Sequence, residues 1–167
     1  TASFGNQYNS ITDGSAKGGV NGAGVANKDF DSYVAMGYQT NSTLMGNIGY
    51  KINSSNKINF NSVYINSSNQ SKEEYTGYIV DLANNGNGLV RRSTYIKNAL
   101  FINQLLGEHT VNERSKLNWS VGLNSVDGDM PDRTQNTFRK EENGYILSSI
   151  SKPDNNRYYQ YLTEEEG

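Results

Sequence analysis

Hydrophobic and polar residues alternate strictly along residues 117–124. The apolar positions are Leu117, Trp119, Val121 and Leu123, and the polar or small positions between them are Asn118, Ser120, Gly122 and Asn124. Side chains of a β-strand point alternately to its two faces, so the pattern predicts a strand with one apolar and one polar face. The strand is predicted from about residue 115 to 126, roughly twice the usual strand length of about 5–6 residues.

The same alternation predicts further strands along the chain. Two of them, near 41–53 and 57–66, are joined by a tight turn of Ser and Asn at 54–56, residue types that favour turns through local hydrogen bonds. Others are predicted at 94–106, where both faces carry apolar residues, and at 156–164, with a short strand-like segment at 3–9. The chain is therefore expected to be all-β, with about five or six antiparallel strands.

Three long segments lose the alternation and are predicted to be loops. They cover residues 13–40, 67–92 and 127–155, and the first is rich in glycine around Gly18-Gly19 and Gly22-Ala23-Gly24. A phosphate-binding glycine loop is disfavoured there, because GxGxxG and the Walker Lys-Ser/Thr are both missing. From the second strand of the first hairpin onward, long loops alternate with short turns. The second short turn is predicted at 107–114.

Strand length and loop asymmetry together indicate a membrane barrel. A strand of this length, tilted by about 45°, crosses an apolar band of roughly 25 Å, and outer-membrane barrels have short turns at one end and long loops at the other. The chain is thus predicted to form an arc of a larger transmembrane β-barrel. The lipid-facing residues are predicted to be Leu44, Ile48, Leu117, Trp119, Val121 and Leu123; the lumen-facing residues are predicted to be Asn47, Lys51, Asn118, Ser120 and Asn124.

Composition agrees with this interpretation and narrows the possible partners. Only 34% of the 167 residues are hydrophobic, and asparagine is the commonest residue, which suits a barrel whose lumen face is polar. A formal net charge of −2 gives no electrostatic reason to expect nucleic acid. Cysteine is absent, so disulfides and thiolate metal sites are excluded. No signal peptide is visible at the N-terminus, which leads us to expect an internal piece of an exported protein.

Few residues suggest catalysis or metal binding. Asp127, Asp129 and Asp132 form an acidic cluster that offers weak candidate ligands for Ca²⁺, but the rest of an EF-hand loop is missing and a turn explains them better. His109 is the only histidine and is predicted to be a solvated turn residue. No catalytic triad, metal set or cofactor loop is recognisable, so we expect neither an enzyme nor a cofactor.

Several tyrosines have two possible roles. Tyr50, Tyr64 and Tyr95 are predicted near strand ends, where aromatic rings form girdles at the membrane interface. A stacking platform for sugars or bases is the alternative.

Short motifs resemble the barrel of a TonB-dependent outer-membrane receptor of the type found in Bacteroidetes. The residues concerned are Arg91-Arg92-Ser93-Thr94-Tyr95, Leu105-Leu106-Gly107-Glu108-His109, Leu117-Asn118-Trp119 and Pro131-Asp132-Arg133, followed by the strand at 156–164. The resemblance covers about residues 40–164. It implies a 22-stranded barrel around an N-terminal plug, located in the cell outer membrane and importing a nutrient with energy from an inner-membrane complex.

If the resemblance holds, the chain is an internal fragment of that barrel. The expected partners are outer-membrane lipid, the TonB energy-coupling complex acting through the missing plug, and a nutrient ligand that the sequence does not identify. A soluble β-sandwich that binds carbohydrate or a surface partner through its loops and tyrosines is the competing hypothesis.

Overall fold

A computed structural model describes residues 1–82, 86–149 and 155–166. Within them the chain forms eight strands: β1 Ala2–Ile11, β2 Ala16–Val20, β3 Ala26–Asn53, β4 Asn56–Ile79, β5 Asn87–Asn112, β6 Ser115–Glu141, β7 Gly144–Leu147 and β8 Asn156–Glu166. All eight belong to one antiparallel sheet that does not close on itself. The expectation of an all-β antiparallel arc is confirmed, although the arc has eight strands in the described residues, not five or six.

The sheet is a meander of four tall strands with shorter strands at its sides. The strand order is β1-β3-β4-β5-β6-β7. In addition, β2 pairs with the N-terminal part of β3, and β8 pairs with β6. Two tight turns, at 54–55 and 113–114, lie at the same end of the tall strands, which we call the turn end. The turn predicted at 54–56 is therefore confirmed, whereas the second turn is shorter than predicted, because β5 continues to Asn112.

The three predicted long loops are wrong over most of their length. Residues 26–40 belong to β3, residues 67–79 to β4 and residues 127–141 to β6, and β2 and β7 occupy further parts of the same segments. The segment 87–92, also predicted as loop, begins β5. Residues 83–85 and 150–154 of these predicted loops lie outside the described part of the chain.

The loops were mispredicted because hydrophobic alternation reports burial and not backbone pairing. In their upper parts the tall strands carry Ser, Thr, Asn, Gln and charged residues on both faces, as in the pairs Gln39 with Asn69 and Thr40 with Ser68. Such residues contribute the same backbone N–H and C=O groups to the hydrogen-bond ladder as apolar residues do. The antiparallel ladder therefore continues where the periodic pattern ends.

Two of the register irregularities in the ladder lie away from the turn end. On β6 the pairing skips between Met130 and Arg133, at Pro131, a residue that has no N–H to give to a neighbouring strand. On β3 the skip falls at Asp31, between Phe30 and Ser32. Gly77 on β4 faces that bulge with a φ of +153°, and a Cβ there would overlap the carbonyl oxygen of Asp29.

The described residues form one small buried apolar cluster, and it lies far from the turn end. Phe30, Ile79, Leu82 and Val90 form it, and the ring of Tyr75 packs against Phe30 with their centroids 5.3 Å apart. Elsewhere in the described residues most large apolar side chains remain exposed on the two faces of the sheet. The architecture therefore depends chiefly on strand pairing.

Replacing Gly77 with alanine is expected to destabilise this end of the sheet. The added Cβ has no space between Asp29 and Phe30, so the bulge must shift at a cost of about 1–3 kcal/mol in the free energy of unfolding. Denaturant unfolding measures the cost. Gly5→Ala is the matched control, because a Cβ at Gly5 meets nothing within 4 Å. Equal stability of the two variants would contradict the strained bulge.

Candidate functional site

The strand register gathers many of the exposed apolar residues near the turn end onto one face. Directly paired residues of an antiparallel sheet share a face, and Ile48 pairs with Phe60, Phe60 with Leu105, and Leu105 with Val121. Tracing this row and its neighbours defines what we call the apolar belt: Leu44, Ile48, Tyr50, Ile52, Ile58, Phe60, Tyr64, Phe101, Leu105, Leu117, Trp119, Val121 and Leu123.

The belt includes all six residues that were predicted to face lipid. Ile48, Val121 and Leu123 are 70%, 60% and 63% exposed. Small or polar residues interrupt the belt in one row, where Gly46 pairs with Ser62. Whether lipid covers this surface stays a prediction, but the register does bring the six residues together.

The height of the belt is limited. On β3 it extends from Leu44 to Ile52, about 30 Å at roughly 3.3 Å per residue, or about 23 Å if the strand is tilted by about 40°. The whole of β3 has 28 residues and is about 90 Å long by the same measure. Most of each tall strand therefore lies beyond the belt.

Above the belt, which means away from the turn end, the same face carries charged residues on β4, β5, β6 and β8, whereas Met36 and Tyr38 of β3 remain exposed there. Glu74 of β4 pairs with Arg91 of β5 at 2.9 Å, and Asp132 of β6 binds Arg157 of β8 at 3.0 Å. Lys97 lies opposite Asp129 in the ladder. We call this surface the charged zone. Ionised groups are costly in hydrocarbon, so an apolar medium could cover this face only up to the lower limit of the zone.

The three aspartates proposed as weak metal ligands lie in the charged zone and not in a turn, so the turn interpretation is wrong. Asp127 accepts hydrogen bonds from Thr163 Oγ1 at 3.0 Å and from the Tyr161 hydroxyl at 3.3 Å. Asp132 accepts two from the guanidinium of Arg157. Two of the three carboxylates thus have side-chain partners on β8, and across the ranges 1–82, 86–149 and 155–166 no three acidic or histidine side chains are grouped to hold a metal ion.

Trp119 is fixed in place by a hydrogen-bonded chain that leads to the turn end. Its indole lies over Gly107, which has no side chain to displace it, and Nε1 donates to Nε2 of His109 at 2.8 Å. Nδ1 of His109 lies 2.7 Å from Oδ1 of Asn56, and Asn56 in turn donates to Asn53. The prediction that His109 is a solvated turn residue is therefore wrong, because it is a half-buried residue of β5.

The strand-end positions predicted for the three tyrosines are confirmed for Tyr50 alone, and their role in an aromatic girdle stays a prediction. Tyr50 lies near the turn end of β3, in the row that ends at Trp119. Tyr64 and Tyr95 were expected near strand ends, which is wrong, since both lie well inside long strands. Tyr64 marks the upper limit of the belt, and Tyr95 pairs with Asp132 in the charged zone.

The opposite face, here called the polar face, carries all five residues that were predicted to line a lumen. Asn47 donates a hydrogen bond to Asn61, its partner across β3 and β4, and Lys51 stands in a row with Lys57, Glu108 and Asn118. An apolar patch interrupts this face beside the belt level, and the alternation did not reveal it because its members are spread over four strands: Met45, Val63, Ile65, Leu100, Ile102 and Val126.

Beyond that patch, a polar network crosses the upper polar face. Glu73 accepts from the Tyr33 hydroxyl at 3.2 Å and pairs with Arg92 at 3.4 Å, and Arg92 Nε donates to Gln135 Oε1 at 2.9 Å. The network thereby joins β3, β4, β5 and β6. Sequence analysis missed it because its members lie in segments assigned to loops or to other roles.

Aromatic rings support this network. Tyr33 stacks on Tyr75 with centroids 4.6 Å apart and ring planes 20° from parallel, and the Arg92 guanidinium lies 5.8 Å from the centre of Tyr75. Burial and then the neighbouring Glu73 carboxylate raise the pKa of both phenols above the ordinary tyrosine value. Both phenols therefore remain neutral donors at physiological pH.

In the part of the chain that the structure describes, no helix is long and apolar enough to cross a membrane.

Comparison with family models, with curated proteins and with solved structures finds no match to this chain. Assignment of function therefore depends on the belt, the charged zone and the polar face.

Replacing Gly107 with valine should displace Trp119 and break its hydrogen bond to His109. A Cβ at Gly107 would overlap the indole ring, so the free energy of unfolding is expected to fall by about 1–3 kcal/mol. Because Trp119 is the only tryptophan, its fluorescence reports both the displacement and the unfolding. In the control Gly46→Val, on the same face, a Cβ meets nothing within 4 Å, and an unchanged Trp119 spectrum in both variants would disprove the packing.

Proposed function

We propose that the chain is an arc of an outer-membrane β-barrel that imports a nutrient, of the TonB-dependent receptor type. The observation that carries the proposal is the apolar belt: a band of mostly exposed apolar residues on one face, interrupted in the row of Gly46 and Ser62, and about as tall as the roughly 25 Å apolar band of such barrels. Soluble monomers rarely leave so large an apolar surface uncovered. Charged residues begin on the same face four residues beyond Phe101, at Lys97 opposite Asp129, and ion pairs follow further from the belt, as expected where strands leave the hydrocarbon.

In this proposal the two faces have separate tasks. Lipid covers the belt, and the polar face, with Asn47, Lys51 and Asn118, encloses the passage. The upper half of each tall strand stands outside the membrane and presents the network of Glu73 and Arg92 to the exterior. The protein binds a ligand there and passes it inward without making or breaking a bond. The free edges of β1 and β8 pair with further strands of the barrel, because unpaired backbone groups cannot face lipid.

The soluble β-sandwich is the competing function. A sandwich needs a second sheet over the apolar face. The strands described here supply a single sheet, and the belt has no layer packed on it. For this reason we prefer the membrane proposal, and the two can be separated with the protein's own fluorescence.

Quenching of the Trp119 fluorescence by labelled lipid tests the proposal directly. In vesicles of phosphatidylcholine brominated on its acyl chains, the Trp119 emission of the 167-residue chain is expected to be strongly quenched, since bromine quenches only on contact. Because Trp119 lies toward the turn end of the belt, bromines near the headgroups should quench more than bromines near the chain ends. Steady-state fluorescence at matched lipid ratios measures both effects.

Acrylamide in the aqueous phase provides the opposite readout. If the belt is covered by lipid, acrylamide should quench Trp119 only weakly in vesicles and more strongly in urea. Strong acrylamide quenching in vesicles, with no effect of the brominated lipids, would refute the membrane proposal and favour a water-exposed or protein-covered belt.

A lysine on the belt should cost far more than a lysine on the polar face. Val121→Lys is expected to destabilise the protein in vesicles, reducing its free energy of unfolding by about 2–4 kcal/mol, the usual penalty for a cation facing the middle of a bilayer. The neighbouring Ser120→Lys faces the other side of β6 and should change it by less than about 1 kcal/mol. Urea titration in lipid vesicles provides the measurement, and equal losses in the two variants would count against lipid contact at Val121.

A further inference from the structure

The hydrogen-bonded chain beside the turn end runs in one direction. The indole N–H of Trp119 can only donate, so Nε2 of His109, which it meets at 2.8 Å, is the acceptor and carries no proton. The proton of the imidazole is therefore on Nδ1, which donates to Oδ1 of Asn56 at 2.7 Å. Nδ2 of Asn56 then donates to Oδ1 of Asn53 at 2.8 Å. The chain thus requires a neutral imidazole with its proton on Nδ1.

Protonation of His109 would break this chain at one defined bond. A proton on Nε2 would point at the N–H of Trp119, and neither group would then have a lone pair to accept with. The bond to Asn56 survives, because Nδ1 donates to a carboxamide oxygen in both charge states of the ring. Imidazole is the side chain whose ordinary titration falls between about pH 5 and 8. The contact between the two rings is therefore sensitive to pH.

The charged residues next to His109 belong to the other face of the sheet. They are Lys51 of β3, Lys57 of β4, Glu108 of β5 and Lys116 of β6, while Glu113 and Arg114 form the turn that follows β5. On its own face His109 pairs with Asn56 and Leu117, which are uncharged. Tyr50 is titratable on this face, but Ile58 and Gly107 separate it from Trp119 in their row. The charge on the imidazole itself therefore decides whether the bond to Trp119 forms.

Trp119 stands at an edge that the described strands leave open. β8 pairs with β6 from Asn124 onward, so among the described residues the 115–123 part of β6 is paired with β5 alone. The indole lies over Gly107, nearly parallel to the imidazole, with the ring planes 16° apart and the centroids 6.2 Å apart. The bond to His109 is the hydrogen bond that orients the indole N–H. Loss of that bond frees the ring to turn away from Gly107 toward the open edge.

We propose that His109 is a proton-operated latch for Trp119. Neutral His109 holds the indole over Gly107, and protonated His109 releases it while the link to Asn56 stays closed. Release uncovers Gly107 and thereby changes the turn end of the apolar belt. The latch goes beyond the proposed import function, because the two rings respond to the proton whether lipid, detergent or protein covers the belt.

NMR spectroscopy of the full 167-residue chain, isotope-labelled in nitrogen and held in non-ionic detergent micelles, tests the latch. The sequence has one tryptophan and one histidine, so a single indole N–H signal and a single imidazole can be followed. Between about pH 8 and 5, the indole signal should move upfield and exchange faster with water as the imidazole gains its second proton, with one common midpoint. An indole signal that stays fixed while the imidazole titrates, or an imidazole that stays neutral throughout, would overturn the latch.

His109→Gln removes the titration and keeps an acceptor for the indole. The glutamine carboxamide oxygen can accept from Trp119 at every pH, so the indole signal should show no transition between about pH 8 and 5. A transition that persists in this variant would belong to another group, and the latch would be rejected.

Asn56→Asp covers the case in which the glutamine variant does not fold, and it distinguishes a latch from a merely structural contact. Its carboxylate would replace the oxygen that Nδ1 of His109 meets and would favour the charged imidazole, so release should move to higher pH by about one unit or more. The matched control Asn59→Asp lies on the polar face, where it pairs with Gly49 and Leu106, and should shift the midpoint much less.

Equal midpoints in Asn56→Asp and Asn59→Asp would contradict the geometry on which the latch depends. The outcome is independent of quenching by brominated lipid, so the latch and the import proposal can each fail without the other.

Discussion

The continuous backbone hydrogen-bond ladder is the interaction on which this protein depends. Only five apolar residues of the described chain are buried, namely Phe30, Ile79, Leu82, Leu89 and Val90. A core of that size cannot position strands of 24 to 28 residues. Register is instead maintained by the pairing of β3, β4, β5 and β6, which is nearly uninterrupted apart from single-residue irregularities. Every surface described above is a consequence of that register.

Because paired residues share a face, register converts short local patterns into extended surfaces. Four strands each contribute a few apolar residues to the belt, and the same strands contribute the charged zone above it. The change from Phe101 to the Lys97–Asp129 pair takes place within four residues of β5. So abrupt a change on one face is expected where the surroundings of a strand change from apolar to aqueous.

At two places in the sheet a glycine makes room for a side chain of the neighbouring strand. Near the turn end, Gly107 makes room for Trp119, whose indole N–H begins a hydrogen-bonded chain to the turn. Away from the turn end, Gly37 makes room for Asn9, and Tyr33 stacks on Tyr75. In both places an absent side chain on one strand allows a larger one on the next to lie flat, which stabilises cross-strand packing in a sheet without a second layer.

The sequence by itself determined the all-β class, the turn after Asn53 and the division of 41–53 and 115–126 into apolar and polar faces, because period-two alternation is local. It could not determine where β4 and β6 end, since polar residues pair their backbones as well as apolar ones. Nor could it bring Tyr33, Glu73, Arg92 and Gln135 together, because they lie on four different strands. Only the register of the folded sheet decided which of these distant residues meet.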